Sequence, residues 1–161
     1  MPGSRHDNAP AELIGFLGKY DPSTHSLALG LRQVVLDAIG PCHEYIFQMR
    51  SKVMLLYSAT ARSMADGVCQ IAIFRHHVTL VFPDGIDLED PMRVLHGTGR
   101  TMRHVRVMAR SDLARPELRG LLRQARALVG LAEEPRRGRR EVVTRVKTSQ
   151  ASTSAGMRGH R

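Results

Sequence analysis

Apolar positions recur at helical spacing at both ends of the chain and change to a two-residue alternation in the middle. After Pro10, Leu13, Phe16 and Leu17 mark a short helix stopped by Gly18 and Asp21-Pro22. From about Pro22 to Ile39, Leu27, Leu31, Val34, Val35 and Ala38 form one stripe, and Gly40-Pro41 ends it. Four short β-rich runs follow: Glu44 to Phe47, Val53 to Tyr57, Val68 to Phe74 and Val78 to Phe82. Only Arg75, His76 and His77 separate the last two, which predicts an antiparallel hairpin.

Pro83 to Gly99 reads as a turn plus a short helical segment, and His104 to Met108 as a further strand. In that strand Val105 and Val107 point one way, His104 and Arg106 the other. A last helix runs from Asp112 or Pro116 to Val129, burying Leu118, Leu121, Leu122, Ala125 and Leu128, with Arg119, Arg123 and Arg126 opposite. Strands joined by turns instead of crossover helices argue for an α+β fold, an antiparallel sheet packed against helices, and against a Rossmann-type layout.

The organisation expected is a flexible lead at 1–9, a single domain at 10–131 and a basic tail at 132–161 that its composition predicts to be disordered. Within that tail, REVVTRV has the pattern of a brief strand or helix. Charge sharpens the division. Of the net +9, residues 133–161 carry eight basic and three acidic side chains, +5, leaving sixteen and twelve, +4, for the rest. Such a balance permits weak, salt-sensitive contact with polyanions. Two cysteines, no apolar leader and no run of about 18 apolar residues point to a cytoplasmic protein without a membrane partner.

Candidate chemistry is sparse. Gly97-Thr98-Gly99 precedes a strand, whereas a dinucleotide loop needs a strand before it and a helix after it, so a structural turn is expected. Arg100, Arg103, His104 and Arg106 form a candidate anion-binding set, because guanidinium forks suit carboxylates and phosphates. No aromatics for base stacking are interleaved among them, and a solvated basic face is the plain alternative. The acidic knot Asp84, Asp87, Glu89 and Asp90 lacks EF-hand spacing, and Asp is common in turns. His76-His77 alternates across a hairpin, and no CxxC, HExxH or GxSxG stands in the chain, so no metal, cofactor or catalytic set is assigned.

Several blocks together carry a family resemblance: KYDPSTHSLALGLRQVV, PCHEYI, IAIFRHHVTLVF, GIDLEDPMRVLHGTGRTMRHVRV and RPELRGLLRQARAL. From Phe16 to Leu128 the chain resembles the YdhG-like family, small domains without an established reaction. The resemblance implies a frataxin-like α+β arrangement. Some members are labelled iron chaperones, a role that needs carboxylates clustered on the early helices, where this chain has Glu12, Asp21 and Asp37. The expected function is a non-catalytic binding or interaction domain whose ligand the sequence does not name, with an anionic small molecule or a protein partner as the candidates. Metal handling at the acidic knot and weak nucleic-acid association through Arg100–Arg126 and the tail are the alternatives.

Overall fold

The computed structural model describes residues 9–62, 66–130 and 142–148. Three helices, α1 (Ala11–Leu17), α2 (Pro22–Ile39) and α3 (Pro116–Leu128), pack on one face of a six-stranded sheet. The strands are β1 (Cys42–Gln48), β2 (Val53–Ser58), β3 (Gly67–Ile73), β4 (Val78–Phe82), β5 (Arg103–Val107) and β6 (Val142–Thr148). Their spatial order is β5-β4-β3-β2-β1-β6.

The first five strands form an antiparallel meander, as the turn-linked runs predict. The sixth corrects the expectation of a purely antiparallel sheet. β6 pairs in parallel with β1, placing Arg145 opposite Tyr45 and Lys147 opposite Phe47. It also extends the folded unit past the boundary expected at 131 and puts a strand inside the segment read as a disordered tail. The physical reason lies in its alternation: Val142 and Val146 pack against the core, and the Thr144 hydroxyl lies between them over β1. Three inward side chains give a basic segment enough to bury at a sheet edge.

The core holds Leu31 and Val35 of α2, Leu118, Leu121 and Leu122 of α3, and Ile46, Leu55, Ile71, Leu80 and Val105 of the strands. Leu13 and Leu17 anchor α1 to it. Burying such side chains is worth about 1.5–3 kcal/mol each. Because strand side chains alternate, Tyr45, Leu56, Ala72 and Thr79 belong to the opposite face, where none of the described helices packs.

Three local expectations change. Between Pro83 and Gly99 the helical segment reduces to one 3-10 turn at Gly85–Asp87. The Asp90 carboxylate accepts from the Val94 and Leu95 amides at 2.9 Å each, closing the chain with a side chain where a helix would use carbonyls. Leu128 is exposed, because α3 ends at the margin of the core. Arg119 and Arg126 are half-buried, not on a free polar face, and the Arg126 guanidinium lies 3.3 Å from the space a Cβ would take at Gly40. Gly40 itself has φ 71°, the left-handed turn that releases the chain into β1.

Candidate functional site

The residues of the candidate anion-binding set are distributed, not gathered. β5 carries His104 and Arg106 on the helix-free face of the sheet, opposite Val81 and Thr79. Arg103 has the parity of Val105 and Val107, so it points to the other side. Its backbone nitrogen and Cβ crowd Gly85, where an added Cβ would approach within 2.4 Å. Its guanidinium donates to the Gly99 and Met102 carbonyls at 2.6 Å. Arg100 is exposed in the loop before β5. The candidate anion set therefore divides, and only His104 and Arg106 share a surface. Gly97 has φ 129° and follows a loop instead of a helix end, and the His96–His104 bridge holds this loop against β5.

That surface continues across the whole sheet. Register aligns two rows of six residues that point away from the helices. One row reads Arg145, Tyr45, Leu56, Gln70, Val81, His104; the next reads Lys147, Phe47, Met54, Ala72, Thr79, Arg106. Neither row contains a carboxylate. Cations stand at both margins, on the edge strands β6 and β5, about 24 Å apart at the usual spacing between strands.

Aromatic rings lie between the cations. The Lys147 ammonium sits 5.5 Å from the Tyr45 ring centre and 5.8 Å from that of Phe47. Arg145 covers Tyr45 from 5.6 Å and places Nη1 2.9 Å from His43 Nδ1. Beyond the second row, Lys52 lies 5.7 Å over Phe74, which stacks on His77 at 4.4 Å and 17°. Burial, then the Arg106 and His76 charges, lower the His77 pKa. Tyr45 is buried and its hydroxyl donates to the Ala61 carbonyl at 2.8 Å, so the loop after β2 leans on this ring. Phe47 and Phe74 are partly exposed. Ala61 of that loop thus adjoins β1, about 19 Å from β5 by strand spacing, away from His104 and Arg106.

The helix-covered face holds the other polar arrangement. Arg32 of α2 makes a two-pronged pair with Glu44 of β1, Nε to Oε2 at 2.8 Å and Nη2 to Oε1 at 2.9 Å. The Tyr57 hydroxyl donates to Oε2 and the Thr144 hydroxyl to Oε1, each at 2.8 Å. Glu44 is wholly buried. Burial opposes the Arg32 charge, but the Glu44 carboxylate outweighs it and holds the guanidinium above its ordinary range. Burial, reinforced by Glu44, pushes the Tyr57 hydroxyl well up and the Cys42 thiol up to about 12. Burial and then Cys42 raise Cys69 as well. Every acceptor position is met from within the fold, and thiols held protonated are poor nucleophiles. The nearby pocket lined by Val68, Phe82, Leu88 and Ala125 encloses about 10 Å³, room for roughly one water.

Elsewhere, the acidic knot commits Asp90 to its own loop, as above, and Glu89 exchanges backbone hydrogen bonds with Gln124 of α3. Among the described residues no group of three or more His, Cys, Asp or Glu side chains is positioned to hold a metal ion. No described helix is long and apolar enough to cross a membrane. Sequence reasoning missed Lys52, Phe47, Phe74, Arg145 and Lys147 as one surface, because the rings lie far in sequence from the arginines they join. Their alternation within β1 and β6 was the available signal. Comparison with protein families, curated proteins and solved structures finds no match to this chain.

Proposed function

We propose that the chain is a non-catalytic binding domain, YdhG-like in type, that takes an anionic ligand on the helix-free face of its sheet. The observation that carries this reading is the pair of outward rows, which have cations at both margins and no carboxylate anywhere between. A surface of one sign focuses the field and attracts polyanions. Arg106 and His104 supply one margin, Arg145 and Lys147 the other, and Lys52 the hairpin end. The two cysteines, both free and buried, fit work in a reducing cytoplasm.

Titration with inorganic polyphosphate, followed by calorimetry at several salt concentrations, tests the proposal. Binding is expected to weaken steadily as salt rises, and to fall further in the Arg106→Gln/Lys147→Gln double variant. Equal binding by that variant and the parent chain would remove the sheet face from consideration. Replacing Arg100, which stands off the face, is expected to change little.

A further inference from the structure

Resting on the reading of the sheet face as an anion site, we infer that its ligand is single-stranded nucleic acid, with bases stacked on Phe47 and Phe74 and phosphates held by Lys147, Lys52 and Arg106. A smooth polyanion needs charge alone. This face alternates charge with flat apolar rings: Lys147 beside Phe47, Lys52 beside Phe74, and His77 stacked on Phe74 within reach of the Arg106 field. Single strands offer both complements at once, a π-face on every base and a charge on every link, and proteins that hold them combine a basic track with stacking platforms. A duplex hides its base faces, so its bases have nothing to place on these rings.

The geometry assigns distinct parts to the three rings. Tyr45 is buried and its hydroxyl is committed to Ala61, so it supports Phe47 from a centroid distance of 6.5 Å and a 22° tilt. Phe47 and Phe74 are the partly exposed rings. Each is capped by a lysine ammonium at 5.8 or 5.7 Å. A lysine side chain is flexible and its head is strongly hydrated, so an arriving base displaces it from the ring toward the adjoining phosphate. Between the margins Leu56 and Ala72 are buried, and the partly exposed Met54 and Val81 give sugars and base edges an apolar surface with no fixed hydrogen-bond pattern. Binding is therefore expected to tolerate many sequences. The margin-to-margin width fits the roughly 4–16 nucleotides covered by small single-strand-binding sheet domains.

The chain contains no tryptophan, so Phe74→Trp supplies a single fluorescent reporter at the proposed stacking position. The experiment compares four probes on the full chain: an oligothymidylate of about 12 nucleotides, an abasic sugar-phosphate oligomer of the same length, a duplex, and inorganic polyphosphate. The oligothymidylate is expected to quench the reporter and to bind on the order of tenfold more tightly than the abasic oligomer. In the otherwise native chain, Phe47→Leu/Phe74→Leu is expected to lose that advantage while binding polyphosphate normally, which also shows that the variant is folded. Equal affinity for oligothymidylate and abasic oligomer, without quenching, would overturn the inference and leave the anion reading standing. Tighter binding of duplex than of oligothymidylate would overturn it in favour of a different partner. Failure of every probe to bind would overturn both readings.

Discussion

The Arg32 guanidinium and the Glu44 carboxylate face each other as a fork on a fork, at 2.8 and 2.9 Å, with both side chains buried. The pair fastens α2 to β1, and Tyr57 and Thr144 extend it to β2 and β6. Removing one member leaves the other as an unpaired buried charge. Arg32→Leu and Glu44→Leu are each expected to cost about 3–5 kcal/mol of stability. The double variant is expected to cost less than the sum of the two, and less than either if leucine packs well, because no charge is then stranded. Urea unfolding of the three variants gives the coupling energy directly. Additive losses would mean that the pair does not act as a unit.

The same neighbourhood makes stability depend on alkaline pH. Folding raises the Cys42 pKa from 9.0 to about 12 and raises Tyr57 and Cys69 well above their ordinary ranges. Over that window the unfolded chain has released protons that the folded chain retains. The stabilisation is therefore complete below pH 9 and diminishes as pH rises, by up to about 1.4 kcal/mol per pH unit for each such group. Cys42→Ala is expected to make the decline between pH 9 and 11 shallower, whatever it does to stability at neutral pH. Urea midpoints measured across that range check the slope, and parallel curves for parent and variant would contradict it.

How far these features were legible in the sequence depends on which contacts are local. α2 and the β3–β4 hairpin follow from neighbouring residues: a helical stripe ended by Gly40, and two β runs divided by three residues. Glu44 stands between Cys42 and Ile46 on the inward side of β1, and Arg32 follows Leu31 within the buried side of α2. Each looks like an isolated polar interruption until the other is placed beside it. The helix-free face required more. Alternation puts Tyr45 and Phe47 on one side of β1 and Arg145 and Lys147 on one side of β6, but only the long-range parallel pairing tells that these sides coincide. Periodicity states which residues share a face; it does not state which strands are neighbours. Arg100 and Arg103 stand apart from His104 and Arg106 for the same reason, since closeness in sequence does not survive a turn and a change of parity.

β6 offers a direct test of that pairing. Its inward Thr144 hydroxyl reaches Glu44 Oε1 at 2.8 Å, while Arg145 and Lys147 lie outward over Tyr45. A shift of one residue would send the basic side chains inward and Thr144 outward. Thr144→Val keeps the shape but loses a hydrogen bond to a charged acceptor, a loss of about 1.5–3 kcal/mol. Because β6 is an edge strand, the effect is expected as faster amide exchange at 142–148, with β3 and β4 unchanged. The same variant is expected to weaken polyanion binding, since two of the marginal cations ride on this strand. Unchanged exchange at β6 would show that the hydroxyl does not hold the strand in place.

Arg106 and His77 test the opposite margin. His77 lies against Phe74, and its pKa is lowered by burial, by Arg106 and by His76. Arg106→Gln removes one of the two opposing charges, so the imidazole is expected to titrate at higher pH than in the parent chain. A bound polyanion acts in the same direction, because negative charge beside the ring favours its protonated form. Proton linkage then requires the converse: affinity for the polyanion increases as pH falls through the His77 titration. His76 and Asp21 adjoin the same turn, so His76→Gln is the control that separates their contribution. Imidazole resonances followed by NMR from pH 4 to 8, with and without polyphosphate, read each shift at its own ring. If the His77 titration ignores both the Arg106 substitution and the added polyanion, the face is not electrostatically coupled and the ligand lies elsewhere.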